Sequence, residues 1–380
     1  MITNNIGLTI SYISVVLLNI APFLNINVSP NFQVLFQTPL IVYIGSSHSI
    51  RLYSKSVDQK KEGIETMTAK DAMLFPVIAG CTLGGLYLAF QYFDKDLINI
   101  LFHYYFSFIG TMVITSFFYN RFKESFIRSS QKIIFTIPKI RFITEEESHF
   151  DELYLLILIC SVPVGFGYFI TKHYFFNNVL GIFFSIFGIE TILLGSTKIG
   201  FMLLSALFFY DIYFVFFTPL MVTVAKSLDG PIKLMFPKVL DWETQKDFNM
   251  IGLGDIVIPG IFVALMLRLD YYRILKPIIN STKEDPIGNK SVSFLPITNF
   301  NTFLWTFCGY FFGILSTLVV MNVFKAAQPA LLYLVPGCLI FSVLSALIGG
   351  YYNFFINYEE DNSLKELGLV PEEKKEEKTN

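Results

Sequence analysis

The chain has 380 residues, of which 53% are hydrophobic and 15% are charged, and its formal net charge is −2. Soluble globular proteins carry about 25% charged residues, so this composition excludes an ordinary soluble enzyme and indicates a polytopic membrane protein. The small net charge gives no reason to expect a nucleic-acid partner. The apolar stretches are long and continuous, which favours spanning helices over the alternating strands of a barrel.

The N-terminal segment, residues 1–32, contains an apolar stretch at 7–24. A secretory signal peptide normally begins with basic residues, yet no Lys or Arg occurs in the first 50 positions. A cleaved signal, an additional span and a re-entrant segment therefore all remain open for this stretch.

Nine apolar stretches follow, and each is predicted to be a membrane-spanning helix. They are 33–50, 72–93, 101–119, 153–170, 174–194, 201–224, 249–267, 302–324 and 329–350. The fold class predicted is an all-α polytopic membrane protein with one nine-helix unit over 33–356. Residues 121–150 and 269–300 are predicted to be polar connections. Residues 357–380 are predicted to be a disordered charged tail.

The distribution of basic residues predicts the orientation of these spans. If the nine spans alternate in direction, about three quarters of the 28 Lys and Arg residues fall on one side of the membrane. The positive-inside rule assigns that side to the cytosol. The N-terminus is then expected in the lumen and the C-terminus in the cytosol.

Two predicted spans carry an aspartate in apolar surroundings: Asp211 in LFFYDIYFVFF and Asp255 in NMIGLGDIVIPGIFVALML. An ionisable residue inside a membrane span is costly and indicates a functional site. Two carboxylates brought together at low dielectric share a proton, so that one serves as an acid and the other as a base. This chemistry can hydrolyse a peptide bond. The alternatives are a buried hydrogen-bonded pair and a proton relay in a transporter.

The positions of the two aspartates predict that they can face each other. Pro219 should end or kink the helix of Asp211, and Asp255 lies six residues into its predicted span. Both carboxylates would then lie roughly 10 Å from the luminal ends of antiparallel helices. Gly252 and Gly254 weaken the start of the second helix, which suits either tight helix packing or access for an unwound substrate.

Three motifs in the expected order resemble those of a known family: YD at 210–211, GLGD at 252–255 and QPALLYLVP at 328–336. They are similar to the motifs of presenilin-type aspartyl intramembrane proteases, and specifically to the signal peptide peptidase family. The similarity extends over roughly 33–358. The resemblance implies a nine-helix presenilin-like fold with Asp211 and Asp255 as the catalytic pair.

The resemblance also implies a substrate-binding and active-site-shaping set and a substrate class. The set comprises Tyr210, Gly252, Leu253, Gly254, Gln328, Pro329, Ala330 and Leu331. The implied partners are the lipid bilayer and transmembrane peptides, namely signal peptides and type II or tail-anchored proteins in the endoplasmic reticulum membrane. A homo-oligomer remains open. No cofactor or metal is expected, because no histidine lies in either aspartate motif. A proton-coupled transporter and a silent binder of signal peptides are the alternative functions.

Two further features, Glu190 and the segment 231–237, can each be interpreted as structural or as functional. Glu190, in a predicted span, is interpreted as a helix-end or hydrogen-bonding residue rather than a third catalytic group. The segment 231–237 alternates weakly between two prolines. It is hypothesised to be a strand that pairs with an unwound substrate, with an ordinary luminal loop as the alternative.

Overall fold

The computed structural model describes residues 6–24, 26, 28–50, 66–126, 133–137, 148–238, 248–281, 301–324 and 328–366. The helices of this part are, in chain order, α1 (Ile6–Ile20), α2 (Pro30–Ser49), α3 (Ala69–Tyr92), α4 (Lys95–Phe126), α5 (Glu152–Thr171), α6 (Tyr174–Thr191), α7 (Thr197–Phe216), α8 (Leu220–Ser227), α9 (Leu253–Ser281), α10 (Asn301–Phe324), α11 (Leu331–Ile348), α12 (Tyr352–Ile356) and α13 (Glu360–Glu366). The strands are β1 (Ile133–Ile137), β2 (Ser148–Asp151), β3 (Lys233–Pro237) and β4 (Phe248–Gly252).

Each of the nine predicted spans coincides with a helix, namely α2 to α7 and α9 to α11. Six of these are long and apolar enough to cross a membrane: α3, α4, α5, α7, α10 and α11. The protein is a predominantly helical, polytopic membrane protein, which confirms the predicted class. The other three, α2, α6 and α9, pack against one another. Because inner helices face protein rather than lipid, they tolerate buried polar side chains such as Gln37, Thr38 and Asn177.

Helix α9 occupies the centre of the bundle. Every residue from Ile261 to Tyr272 is buried, and the helix packs against α2, α6 and α10. A helix that is buried on all sides belongs to the interior of the fold. Its position matters for function because its first turn carries Asp255.

The chain breaks where the sequence predicts a proline effect. The predicted span 201–224 is not one helix, because α7 ends at Phe216 and α8 starts at Leu220. Pro219 is the residue that precedes α8. The proline cannot continue the hydrogen-bond ladder of α7, so the predicted break at this residue is confirmed.

The start of the seventh predicted span differs from the expectation. Residues 249–252 belong to strand β4, and α9 begins only at Leu253. This helix also runs on to Ser281, into the segment 269–300 that was expected to be a connection. The strand forms because its backbone pairs with β3, a long-range interaction that local periodicity does not report.

Besides the helices, two antiparallel hairpins are present in the described part of the chain. Strands β1 and β2 form one of them, inside the segment 121–150 that was predicted to be a connection. Strands β3 and β4 form the other, with Lys233 opposite Gly252 and Pro237 opposite Phe248. The predicted strand between the two prolines therefore exists, and its partner is the segment that leads into α9.

The outer edge of β3 is occupied by side chains of α6. Asn178 donates from Nδ2 to the Met235 carbonyl (2.7 Å) and accepts from the Met235 N–H at Oδ1 (2.8 Å). Asn177 donates to the Lys233 carbonyl (2.8 Å). With β4 on the other side, both edges of β3 are taken. The hypothesis that segment 231–237 itself pairs with a substrate strand is therefore wrong.

The N-terminal segment contains a helix that is part of the bundle. Helix α1 packs against α2, with Leu8 and Val15 buried. The Tyr12 hydroxyl and the His48 ring form a hydrogen bond between the two helices. Helix α1 is therefore packed into the described bundle, and the three readings of 7–24 stay predictions.

The predicted tail starts too early. Residues 357–366 include α13, and Tyr358 and Glu360 are buried. The prediction of disorder is therefore wrong for this stretch, because its charged residues have partners elsewhere in the fold. The prediction for 367–380 falls outside the described residues.

Helices α10 and α11 approach each other at two glycines. A Cβ atom at Gly309 would overlap the carbonyl oxygen of Gly337, and a Cβ at Gly337 would lie 2.5 Å from the carbonyl oxygen of Gly309. The obstacle is backbone, which cannot rotate away. Small residues allow such close helix contacts in membranes.

We predict that Gly309→Ala lowers the stability of the protein. The added methyl group must push α10 away from α11, and overpacking of this kind costs about 1–3 kcal/mol. The measurement is the thermal unfolding midpoint of the purified protein in detergent. The matched control is Gly84→Ala, because a Cβ at Gly84 meets nothing within 4 Å. Equal midpoints for the two variants would contradict the prediction.

Candidate active site

Asp211 lies in the second half of α7 and is only 3% exposed. Its Oδ2 accepts a hydrogen bond of 3.2 Å from the backbone N–H of Leu331, the first residue of α11. The residue at the N-cap of that helix, Ala330, makes no side-chain capping bond. Helix N-termini leave N–H groups without intrahelical acceptors, and here the carboxylate of another helix supplies one.

The turn before α11 presents this N–H group to Asp211. Pro329 is buried, and its carbonyl accepts from the Leu332 N–H at 3.2 Å. The Ala330 carbonyl accepts from the N–H of residue 333 at 3.1 Å. Gln328 is half-buried at the start of the turn. The expectation that Pro329 opens the helix is off by two residues, since the first helical residue is Leu331.

Asp255 is the third residue of α9 and is half-buried. The expected depth of six residues into the helix is wrong, because the preceding residues form β4. The carboxylate therefore lies in the first helical turn, where the positive end of the helix dipole interacts favourably with a negative group.

The two glycines of GLGD have different surroundings. A Cβ at Gly252 would lie 3.3 Å from Oδ2 of Asp255, so the absence of a side chain leaves room for the carboxylate. Gly254 is exposed, and a Cβ there would meet only the side chain of Ile258 within 4 Å, among the residues the structure describes. Tight packing of a neighbouring helix is thus not the reason for Gly254, which favours the access interpretation.

Leu253 joins the strand to the helix. Its N–H donates to the carbonyl of Ile232 at 2.9 Å, which extends the β3–β4 pairing by one residue. Its side chain packs beside Gly181 of α6. The hairpin and α6 therefore fix the position at which α9 begins.

The fold brings the two aspartates together. Helices α7 and α9 contact each other, and Asp211 lies within range of an electrostatic interaction with Asp255, although the β3–β4 hairpin separates the two residues in the chain. The N-terminus of α11 contacts the same site through Leu331. Such an arrangement can hold a shared proton and a polar reactant in otherwise apolar surroundings.

The Tyr210 ring packs against α3. Its ring lies 4.4 Å from the Phe214 ring, measured between centroids, and it reaches Gly80 of α3. Within the described part of the chain, its hydroxyl makes no hydrogen bond to either aspartate. The structure therefore places Tyr210 at the contact between α7 and α3.

Sequence analysis did not identify two residues of the fold around the site, Tyr310 and Asn178. The structure also shows the contacts of Glu190. Tyr310 of α10 is completely buried in the core that surrounds α9. Asn178 holds the hairpin. Neither belongs to a motif, so only the folded chain identifies them. Glu190 forms an ion pair of 3.2 Å with Arg121, in agreement with its non-catalytic interpretation.

Comparison with known proteins gives a consistent result. The sequence model of the family described as "Signal peptide peptidase" matches residues 59–362. The chain is 39% identical to human "Signal peptide peptidase" over 353 residues, which covers 90% of this chain and 86% of the relative. The mouse protein of the same name is 40% identical over 341 residues, 87% of this chain and 83% of the relative.

A more distant relative extends the comparison. A "Probable intramembrane protease" of Schizosaccharomyces pombe is 34% identical over 309 residues, 80% of this chain and 86% of the relative. The family match spans most of the bundle, including both aspartate motifs and the turn before α11. The chain therefore belongs to the signal peptide peptidase family of intramembrane proteases.

Proposed function

We propose that the protein is an aspartyl endopeptidase that hydrolyses peptide bonds inside membrane-spanning helices, with Asp211 and Asp255 as its catalytic pair. The observation that carries the proposal is that the contacting helices α7 and α9 bring the buried Asp211 within range of an electrostatic interaction with Asp255. Membership of a family of intramembrane proteases supports the same reaction class.

The reaction needs one carboxylate ionised and the other protonated. The ionised group takes a proton from water as the water oxygen attacks the scissile carbonyl carbon, and the protonated group donates to the carbonyl oxygen. When the tetrahedral intermediate collapses, a proton passes to the amide nitrogen and the C–N bond breaks. The two acids titrate as one unit, so neither is assigned permanently as acid or base.

Other groups position this pair. The Leu331 N–H holds the Asp211 carboxylate in one orientation, and Gly252 leaves space for that of Asp255. A carboxylate held by fixed donors needs little reorganisation during the reaction. The exposed backbone at Gly254 gives an unwound peptide a path to the second acid.

The proposed substrates are signal peptides that remain in the membrane, together with type II and tail-anchored membrane proteins. The names of the human and mouse relatives support the first class. The proposed location is the endoplasmic reticulum membrane, with the N-terminus in the lumen and the C-terminus in the cytosol, as the distribution of basic residues favours.

We further propose that an unwound substrate pairs with the outer edge of β4, which carries no second strand among the residues that the structure describes. In an antiparallel pair of strands, two facing residues either exchange backbone hydrogen bonds with each other or both direct their N–H and C=O groups to the outer edges of the pair. Met235 directs its N–H and C=O to Asn178, so the facing residue Met250 directs its own groups outwards. Met250 is 53% exposed and lies five residues before Asp255 in the chain. A strand added there would lie beside the catalytic pair.

We predict that Asp211→Asn and Asp255→Asn each abolish cleavage. Each change removes a proton acceptor or donor from the pair, and loss of general acid–base catalysis costs about 10²–10⁴-fold in rate. The measurement is cleavage of a signal peptide by the purified protein in liposomes, with products identified by mass spectrometry.

The control for these variants is Asp96→Asn, because Asp96 is an exposed acid at the start of α4. It should cleave like the unmodified protein. Cleavage by Asp255→Asn at the unmodified rate would refute the catalytic assignment. Binding of the peptide without cleavage by the unmodified protein would instead favour a silent binder.

We predict that Met250→Pro impairs cleavage more than Met250→Ala. Proline removes the outward N–H and leaves the bonds to β3 intact, as edge strands tolerate, whereas alanine removes only the side chain. Loss of one hydrogen bond of about 1 kcal/mol corresponds to several-fold in kcat/KM. Equal losses in the two variants would show that the side chain, and not the strand edge, binds substrate.

A further inference from the structure

The start of α7 and the middle of α9, which both lie far from the aspartates, are joined by the C-terminal part of the chain. Asp211 is 14 residues from the start of α7, and Asp255 is 13 residues from Arg268 of α9. At 1.5 Å per residue, both distances are about 20 Å. Residues 355–364, called here the C-terminal clasp, contact both helices at this level.

The clasp pairs with the segment that leads into α7. The Glu360 N–H donates to the Gly195 carbonyl at 2.9 Å, and the N–H of Thr197, the first residue of α7, donates to the Tyr358 carbonyl at 3.2 Å. On its other side, the same segment pairs with Met67 through Gly195 (3.1 Å). The start of α7 is thus held between two extended segments.

The clasp binds α9 through a buried ion pair. Nε of Arg268 lies 2.9 Å from Oε1 of Glu360, and both side chains are 0% exposed. The Tyr358 hydroxyl donates to the other carboxylate oxygen at 2.7 Å. Glu360 therefore contacts both helices: its N–H binds the segment before α7, and its carboxylate binds α9.

Aromatic packing reinforces this junction. The ring of Phe201 on α7 lies 5.7 Å from that of Phe262 on α9 and 6.0 Å from that of Phe355 in the clasp, measured between centroids. A Cβ at Gly200 would lie 2.8 Å from the Phe262 ring. The start of α7, the middle of α9 and the clasp are therefore in close contact with one another.

An ion pair in such a place is better suited to setting geometry than to adding stability. Desolvation of two charges offsets much of their attraction, so a buried pair contributes little to stability compared with apolar residues of the same volume. A buried ion pair does, however, allow few alternative positions of the two helices relative to each other. Each helix is stiff. A shift of α7 at this junction therefore moves Asp211 by a similar amount, and a shift of α9 moves Asp255 in the same way.

We propose that Glu360 and Arg268 are positioning residues, and that the C-terminal clasp sets the alignment of Asp211 with Asp255. The inference rests on the proposed function, because it assigns the clasp an effect on the catalytic pair. Small displacements of reacting groups reduce rates strongly, so the loss of the ion pair should lower the rate of the chemical step while substrate binding is retained.

The test separates positioning from stability with two variants of the full chain in liposomes. Glu360→Gln leaves the Arg268 charge buried without its partner. The double variant Arg268→Met with Glu360→Gln removes both charges and keeps an acceptor for Tyr358, so its thermal midpoint should return towards that of the unmodified protein. Active sites are counted by titration with a peptide that carries a hydroxyethylene group in place of the scissile amide.

We expect both variants to lose about tenfold in kcat per titrated site, with KM nearly unchanged. The control is Glu190→Gln, which breaks the Arg121 ion pair between α4 and α6 and should keep kcat per site. If Glu360→Gln does not fold, the double variant alone decides. An unmodified kcat per site in the double variant overturns the inference.

Two other outcomes are also decisive. A loss of titratable sites with unchanged kcat per site would show a purely structural role and would overturn the inference. Failure of the unmodified protein to cleave would refute the proposed function, and the clasp inference would fall with it. Cleavage by the unmodified protein together with full activity of the double variant refutes only the clasp.

Discussion

The hydrogen bond from the Leu331 amide to the Asp211 carboxylate joins positions 120 residues apart, and the geometry of the site depends on it. Helix α11 starts without a capping side chain because Ala330 has no group to offer. The free N–H at its first turn therefore has an acceptor from α7 instead. One interaction satisfies a helix end, orients a buried carboxylate and fixes where α7 and α11 meet.

The second acid is positioned by a different device. Strand β4 ends at Gly252, and α9 begins at the next residue. The hairpin with β3 and the amides of Asn177 and Asn178 fix that point. Hairpins are unusual near lipid because unpaired backbone groups are costly there. Side chains of α6 pair the β3 edge of this sheet, and in the described part of the chain no second strand pairs with the β4 edge beside Asp255.

The middle of α9 is also held by polar contacts. Asp270 accepts from the Thr302 hydroxyl (2.7 Å) and from the Phe303 N–H (2.9 Å), which ties α9 to the first turn of α10. Arg268, two residues before Asp270, pairs with Glu360. These polar groups are buried inside the bundle, where each needs a partner. Helix α9, at the centre of the bundle, is thus fixed both at its start and in its middle.

The sequence by itself determined the membrane class, the helix in each of the nine predicted positions, the break at Pro219 and the family, because hydrophobicity, proline geometry and the three motifs are local signals. It did not predict strand β4, the true start of α9 or the folded segment after residue 357. Tyr310, Asn178 and the pair Arg268–Glu360 were likewise missed. Each of these features depends on partners that are distant in the chain. Nothing in the sequence of the charged tail distinguishes Glu360 from the neighbouring acids, because its partner Arg268 lies elsewhere in the chain. Only the tertiary structure decided them, because a buried charge or an unpaired strand is stable only where a group from another element meets it.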